Sequence, residues 1–310
     1  MMLPVAKSLF GDIDGIAETV AFSPNEDVMA SMKYAIHMGD GRNGLMGLIS
    51  TNAPSAPIPS YVGDDTITYS QINIDFSKVV ALVQEIVASN PMLLSMQVNP
   101  QMMEQIEAGL AMYMSTLGTT THVISTGSAP YADDSVGFLM AVECIDENAL
   151  SNVLSMTMPS MGATPNDFLG TQIFTMELGN AMMIPMETSF SIAIGGGYVF
   201  VGSQYSVENA LRAIAYPKDS ENEQGMNVAS SMIDHEISSG WGYGDMSESM
   251  NAQIASMQNY EGVNDQLLME IEEFDPEMAA EMRAEAENSL LFQNELMETM
   301  ATFLGKMAWN

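Results

Sequence analysis

The chain has 310 residues, 40 of them acidic and 8 basic, for a formal net charge of −32, and its 31 methionines outnumber its leucines. Binding nucleic acid requires clustered lysine and arginine to release counterions, so that class of partner is excluded, and an anionic membrane surface is disfavoured for the same reason. At 47% hydrophobic the chain is too apolar to be disordered, and it is long enough for one or two sizeable cores. Few acids can find a basic partner, so self-repulsion must be tolerated, screened by salt or relieved by bound cations.

Met1 to Phe10 carries one lysine and no long apolar stretch, so no signal peptide is read there. The expectation is a cytoplasmic chain or a piece of a longer secreted one. No run approaches the ~20 apolar residues of a membrane-spanning helix. Ile16 to Ser23 reads as a strand, and Val28 to Met38 as strand or helix. Residues 1–50 make a thin unit, read as a small subdomain or the end of a preceding one. The prolines of residues 51–60 (TNAPSAPIPS) prevent helix and predict an extended linker.

An α+β core is expected over 61–262, built on one recurring pattern: a strand ends in a small polar residue and a helix follows. Thr66 to Ile74 alternates, then Asp75 caps a helix through Val87. Val136 to Ile145 is an apolar run ending at Asp146, before a helix to about Met156. Gly197 to Val201 leads through Ser203 and Ser206 to a helix ending near Ala215, and Gly240 to Gly244 leads through Asp245 or Ser247 to a helix ending near Met257. Asp and Ser suit these junctions because their oxygens accept the unpaired N–H groups of a first helical turn. Glu147 to Leu150 and Glu208 to Leu211 share Glu-Asn-Ala-Leu, which suggests an internal duplication.

Phe168 to Met176 and Met186 to Ile194 read as strands, with Gly195-Gly196-Gly197 turning the chain into Tyr198 to Val201. Together these predict antiparallel or mixed sheets with helices on one face, and not a doubly wound parallel sheet. Residues 263–310 read as a helical tail. Leu267, Leu268, Ile271 and Phe274 form one stripe, Asp275-Pro276 restarts the helix, and Leu296, Met300, Phe303, Leu304 and Met307 form a second stripe.

No catalytic motif rises above background. Asp234-His235-Glu236 lacks the HExxH spacing of a metallohydrolase, and only His37 and His122 remain to help it. Gly11 to Gly15 opens like a calcium loop, but its glycine comes two residues early and the twelfth position from Asp12 is Ser23 instead of glutamate. Low-affinity calcium at acidic positions is the one metal expectation, with Asp12, Asp14, Asp64, Asp65, Asp133 and Asp134 as candidates. With methionine at this density, the cluster Met156, Met158 and Met161 does not by itself mark a copper site. Cys144, the lone cysteine, excludes an internal disulfide and is expected to be a buried, inert thiol. Trp241 and Tyr243, alternating with glycine, are the candidate contact for a glycan or apolar ligand; the competing reading tucks both rings onto the core.

The segments Ala56 to Ile86, Phe138 to Leu154, Asp167 to Met176 and Ser191 to Ile214 come in an order that resembles large, uncharacterised secreted proteins of planctomycetes and related bacteria. Those proteins carry a domain of unknown function. The resemblance covers about residues 56–215, and it implies an extracellular or envelope setting and no mechanism. Three functions are compatible with these features. The leading one is a non-enzymatic structural or assembly protein with protein partners or self-association. The others are a ligand-binding module and a hydrolase using two carboxylates.

Overall fold

The computed structural model describes residues 13–22, 30–39, 41–50, 57–89, 100–127, 136–177, 189–217, 226–227, 230, 240–259, 280 and 306–309. Strands β1 (Gly15–Phe22) and β2 (Ala30–His37) pair with each other as an antiparallel ribbon, Gly15 opposite His37. The reading left open at Val28 to Met38 thus resolves to strand. Helix α1 (Gly44–Leu48) follows. Its exit is tied to the main sheet, because Ile49 bridges Ile74 and Asp75 N–H donates to Leu48 O at 2.7 Å.

The main sheet has nine strands, and every neighbouring pair is antiparallel. In chain order these are β3 (Thr66–Asn73), β4 (Leu117–Gly127), β5 (Val136–Cys144), β6 (Thr164–Phe168), β7 (Thr171–Glu177), β8 (Ser189–Gly195), β9 (Tyr198–Gly202), β10 (Gly240–Asp245) and β11 (Lys306–Trp309). Their spatial order is β11-β10-β3-β4-β5-β9-β8-β7-β6. After β5 the chain crosses to the far edge and returns through a four-strand meander that seats β9 beside β5.

The expected capping chemistry is present at all four of the strand-to-helix junctions read from the sequence. Asp75 Oδ1 accepts from Ser77 N–H, opening a short 3-10 turn that runs into α2 (Val79–Ser89). Asp146 Oδ1 accepts from Ala149 N–H at the start of α4 (Glu147–Thr157), which follows α3 (Pro100–Met114) in helix order. Ser203 Oγ accepts from Ser206 N–H at the start of α5 (Gln204–Ala215). Asp245 Oδ1 accepts from Glu248 N–H at the start of α6 (Met246–Asn259). Each bond satisfies a donor that the helix itself cannot.

Successive strand residues face opposite sides, so two cores form on the two faces of one sheet. On one face Tyr69, Ile124, Leu139, Ala141, Ile173, Ala193 and Phe200 pack under α5 through Val207, Ala210 and Leu211. On the other, Cys144, Phe174 and Val199 pack under α4 through Leu150 and Leu154. The α+β class and antiparallel pairing hold, but helices cover both faces instead of one. The Glu-Asn-Ala-Leu segments also sit differently: Glu147 is the first residue of α4, whereas Glu208 is the fifth residue of α5.

Two further expectations are corrected. Phe168 to Met176 is not one strand, because Leu169 (φ 54°) and Gly170 (φ 81°) turn β6 into β7. The tail is not helical to its end: Lys306–Trp309 pairs with β10, Gly242 opposite Trp309. Open backbone groups on β10 override a helical apolar period there. The rest of the tail expectation, with residue 280 excepted, lies outside the described residues. Among the described residues no helix is long and apolar enough to cross a membrane.

Candidate functional site

The most polar part of the interior lies on the α5 face, where β3, β4, β10 and β9 bring their side chains together. Cross-strand register builds it. Tyr69 stands opposite both Ile124 and Tyr243, and Gln71 opposite both His122 and Trp241. Alternation then places Tyr69, Gln71, His122, Trp241 and Tyr243 on one side. Tyr61, leaving the proline-rich segment, inserts its ring edge-on against Tyr198 and Phe200, both at 5.1 Å between centroids. His122 meets Tyr198 edge-on at 5.6 Å, and Tyr69 tilts against Trp241 at 5.2 Å. Such edge-to-face contacts add to the area the rings bury.

Hydrogen bonds fix this cluster. Tyr69 Oη and His122 Nδ1 are 2.8 Å apart, and Trp241 Nε1 donates to Gln71 Oε1 at 3.3 Å. His122 is 0% exposed. Burial holds its pKa down at about 4, so the imidazole is neutral at ordinary pH. The hydroxyls of Tyr61 and Tyr69 are pushed above their ordinary range by burial first and by neighbouring tyrosines second. Tyr198 shifts the same way, through burial and then the Glu143 carboxylate. All three are therefore neutral phenols. A neutral imidazole beside a phenol can pass a proton, but at zero exposure His122 meets no solute, and its chemistry is confined to holding its neighbours.

Trp241 and Tyr243 are 3% and 6% exposed, so the rings do not lie open to a sugar or apolar ligand. β10 is flanked by β3 and β11, which makes it an interior strand, and its rings complete the core on the α5 side. This corrects the ligand-contact reading of the pair in favour of the core reading. No protein-family model, curated protein or solved structure matches the chain. The interior cluster must therefore be read on its own chemistry.

Of the calcium candidates, Asp14, Asp64 and Asp65 are among the described residues. Asp14 Oδ2 accepts from Gly39 N–H at 2.6 Å, at the base of the ribbon. Asp64 and Asp65 form the turn before β3, where burial and then the Asp64 charge raise the Asp65 pKa. Asp12, Asp133 and Asp134 lie outside the described residues, as do Asp234 to Glu236. Among the described residues no group of three or more His, Cys, Asp or Glu side chains converges on a common point. Cys144 is free and buried under α4, and burial raises its thiol pKa, as expected for an inert thiol. A groove beside α4, lined by Ser151, Leu154, Gln172 and Phe174, carries no ionisable side chain.

The sequence reading passed over Tyr61, Tyr69, Gln71 and Tyr198 and gave His122 only a passing role. Their signal was present but diffuse: Tyr69 and Gln71 share one parity of β3, and His122 follows three threonines in a strand-like run.

Proposed function

We propose that this is a non-enzymatic, acidic, secreted or envelope-associated protein with a structural or assembly role, kept soluble by its negative charge and stabilised by sodium or divalent cations. One observation carries the reading. The side chains of greatest chemical capacity on the α5 face, His122, Tyr69, Gln71 and Trp241, are committed to one another inside the core. The ionisable groups of the chain are dominated by carboxylates, at 40 acids against 8 bases. A strongly anionic chain built on a firmly specified sheet suits contacts bridged by cations or made to cationic partners.

Sheet-edge pairing at β6 is an unsuitable route to such assembly. Phe168 and Thr171 close a two-residue hairpin, so Asn166 and Thr164 bond inward to β7 while Pro165 and Asp167 face outward. Proline offers no N–H there and Asp167 adds a charge, which blunts the edge. Assembly would use carboxylate-bearing surfaces instead.

The test is size-exclusion chromatography with light scattering in low salt, in about 0.5 M NaCl, and in millimolar-range calcium followed by chelator. Assembly or compaction that appears with cations and reverses with chelator is expected. A compact monomer of the same size under every condition would overturn the reading.

A further inference from the structure

Three methionines stand out because their exposure contradicts their usual place in a core. Met156 in α4 is 79% exposed, Met161 in the 3-10 turn after it 64%, and Met112 near the end of α3 50%. Thr157 Oγ1 ties the two helices together: it donates to Val153 O at 2.9 Å and accepts from Tyr113 Oη at 2.8 Å. The C-terminal turns of α3 and α4 therefore meet, and all three methionines lie on or just after those turns. Two other methionines give an internal contrast. Met158, between Met156 and Met161, is 4% exposed in the core beneath α4, and Met226 is 0% exposed in the core beneath α5.

We propose that Met112, Met156 and Met161 form an oxidant-reactive surface, a reversible modification site whose co-substrates are hydroperoxides. A thioether lone pair attacks the terminal peroxide oxygen and the O–O bond breaks. Sulfur gains that oxygen as a sulfoxide, and the peroxide is reduced, leaving as an alcohol or water with its proton. Because these side chains contribute little to either core, the polar sulfoxide costs the fold little. The same change at Met158 would place a polar group among Leu150, Leu154 and Phe174 and loosen α4. The fold therefore sets an order of reaction, with Met112, Met156 and Met161 first and the cores last. This inference does not depend on the assembly role.

The experiment is a time course of the full chain in dilute hydrogen peroxide, digested with an acid protease, with sulfoxide read at each methionine by mass spectrometry and circular dichroism followed in parallel. Met112, Met156 and Met161 are expected to oxidise at least about tenfold faster than Met158 and Met226 while the spectrum stays native. Methionine sulfoxide reductases should then restore the three. In denaturant the five rates should converge. Equal rates in the native protein, loss of structure in step with oxidation of the three, or a rate ratio that survives denaturation would each overturn the proposal. The variant carrying Met112→Leu, Met156→Leu and Met161→Leu should melt as the parent does, and a large drop would show that these side chains are not free of the core.

Discussion

Beneath α5 the sheet buries a network of rings and hydrogen bonds, whereas beneath α4 it buries mainly aliphatic and sulfur-bearing side chains. The first core joins Tyr69 to His122 and Trp241 to Gln71 across three adjacent strands, β4, β3 and β10. The second places Leu150, Leu154 and Met158 against Cys144, Phe174 and Val199. Apolar packing tolerates exchange of similar volumes, while directional bonds between strands penalise a one-residue slip that would turn each partner to the opposite face. The α5 side should therefore fix the register of the sheet, and the α4 side should add burial with little specificity.

Adjacent residues of β9 give the sharpest way to break this comparison. Phe200 points to the ring network and Val199 to the α4 side. Phe200→Ala is expected to cost about 3–5 kcal/mol in chemical denaturation, and Val199→Ala about 1–2.5 kcal/mol. Equal losses would remove the distinction between the faces.

The next test uses pH. His122 has a folded pKa of about 4 against 6.5 for the free group, so between those values the unfolded chain binds the extra proton. Stability from this residue is complete above about pH 6.5 and is lost as pH falls toward 4, on the order of 3 kcal/mol across the window. The parent minus His122→Leu difference should show this slope, with the carboxylates common to both proteins cancelling. A flat difference would mean that His122 is solvated. Smaller still, Tyr69→Phe leaves Nδ1 of His122 without its hydroxyl partner and should cost about 1–3 kcal/mol. In the His122→Leu background the same change should cost much less, and a double-mutant cycle measures the coupling.

Local chemistry made much of this architecture legible. Asp75, Asp146, Ser203 and Asp245 announced their helix starts because a cap depends only on residues within one turn. The Gly195 to Gly197 turn was legible for the same reason. The His122 cluster was not, since its partners lie 53 residues away at Tyr69 and farther at Tyr61 and Tyr198, and strand order alone brings them together. Trp241 and Tyr243 were ambiguous because glycine alternation fits an open strand and an interior one equally. Burial was decided by the core packed over that face of the sheet, which residues distant in sequence assemble. The strand at Lys306–Trp309 was missed because its apolar spacing also fits a helix, and its partner β10 is more than 60 residues earlier.

The two hairpin turns carry the smallest predicted effect. Both have positive φ at both central positions, the geometry whose twist matches paired strands. Gly196 (φ 62°) and Gly197 (φ 84°) meet that demand without strain, but the β6–β7 turn uses Leu169 at φ 54° before Gly170. A leucine there pays for its Cβ, and because its side chain is exposed it recovers little by burial. Leu169→Asn replaces it with a residue that tolerates this conformation and should raise stability by about 0.5–1 kcal/mol, visible as a higher denaturation midpoint with unchanged slope. Gly197→Ala should lower stability by a similar amount, since no atom lies near its missing Cβ and only the backbone conformation opposes it. If Leu169→Asn instead weakens the protein, the Leu169 side chain makes a contact worth more than its backbone strain, and the β6 edge is held by packing as well as by its turn.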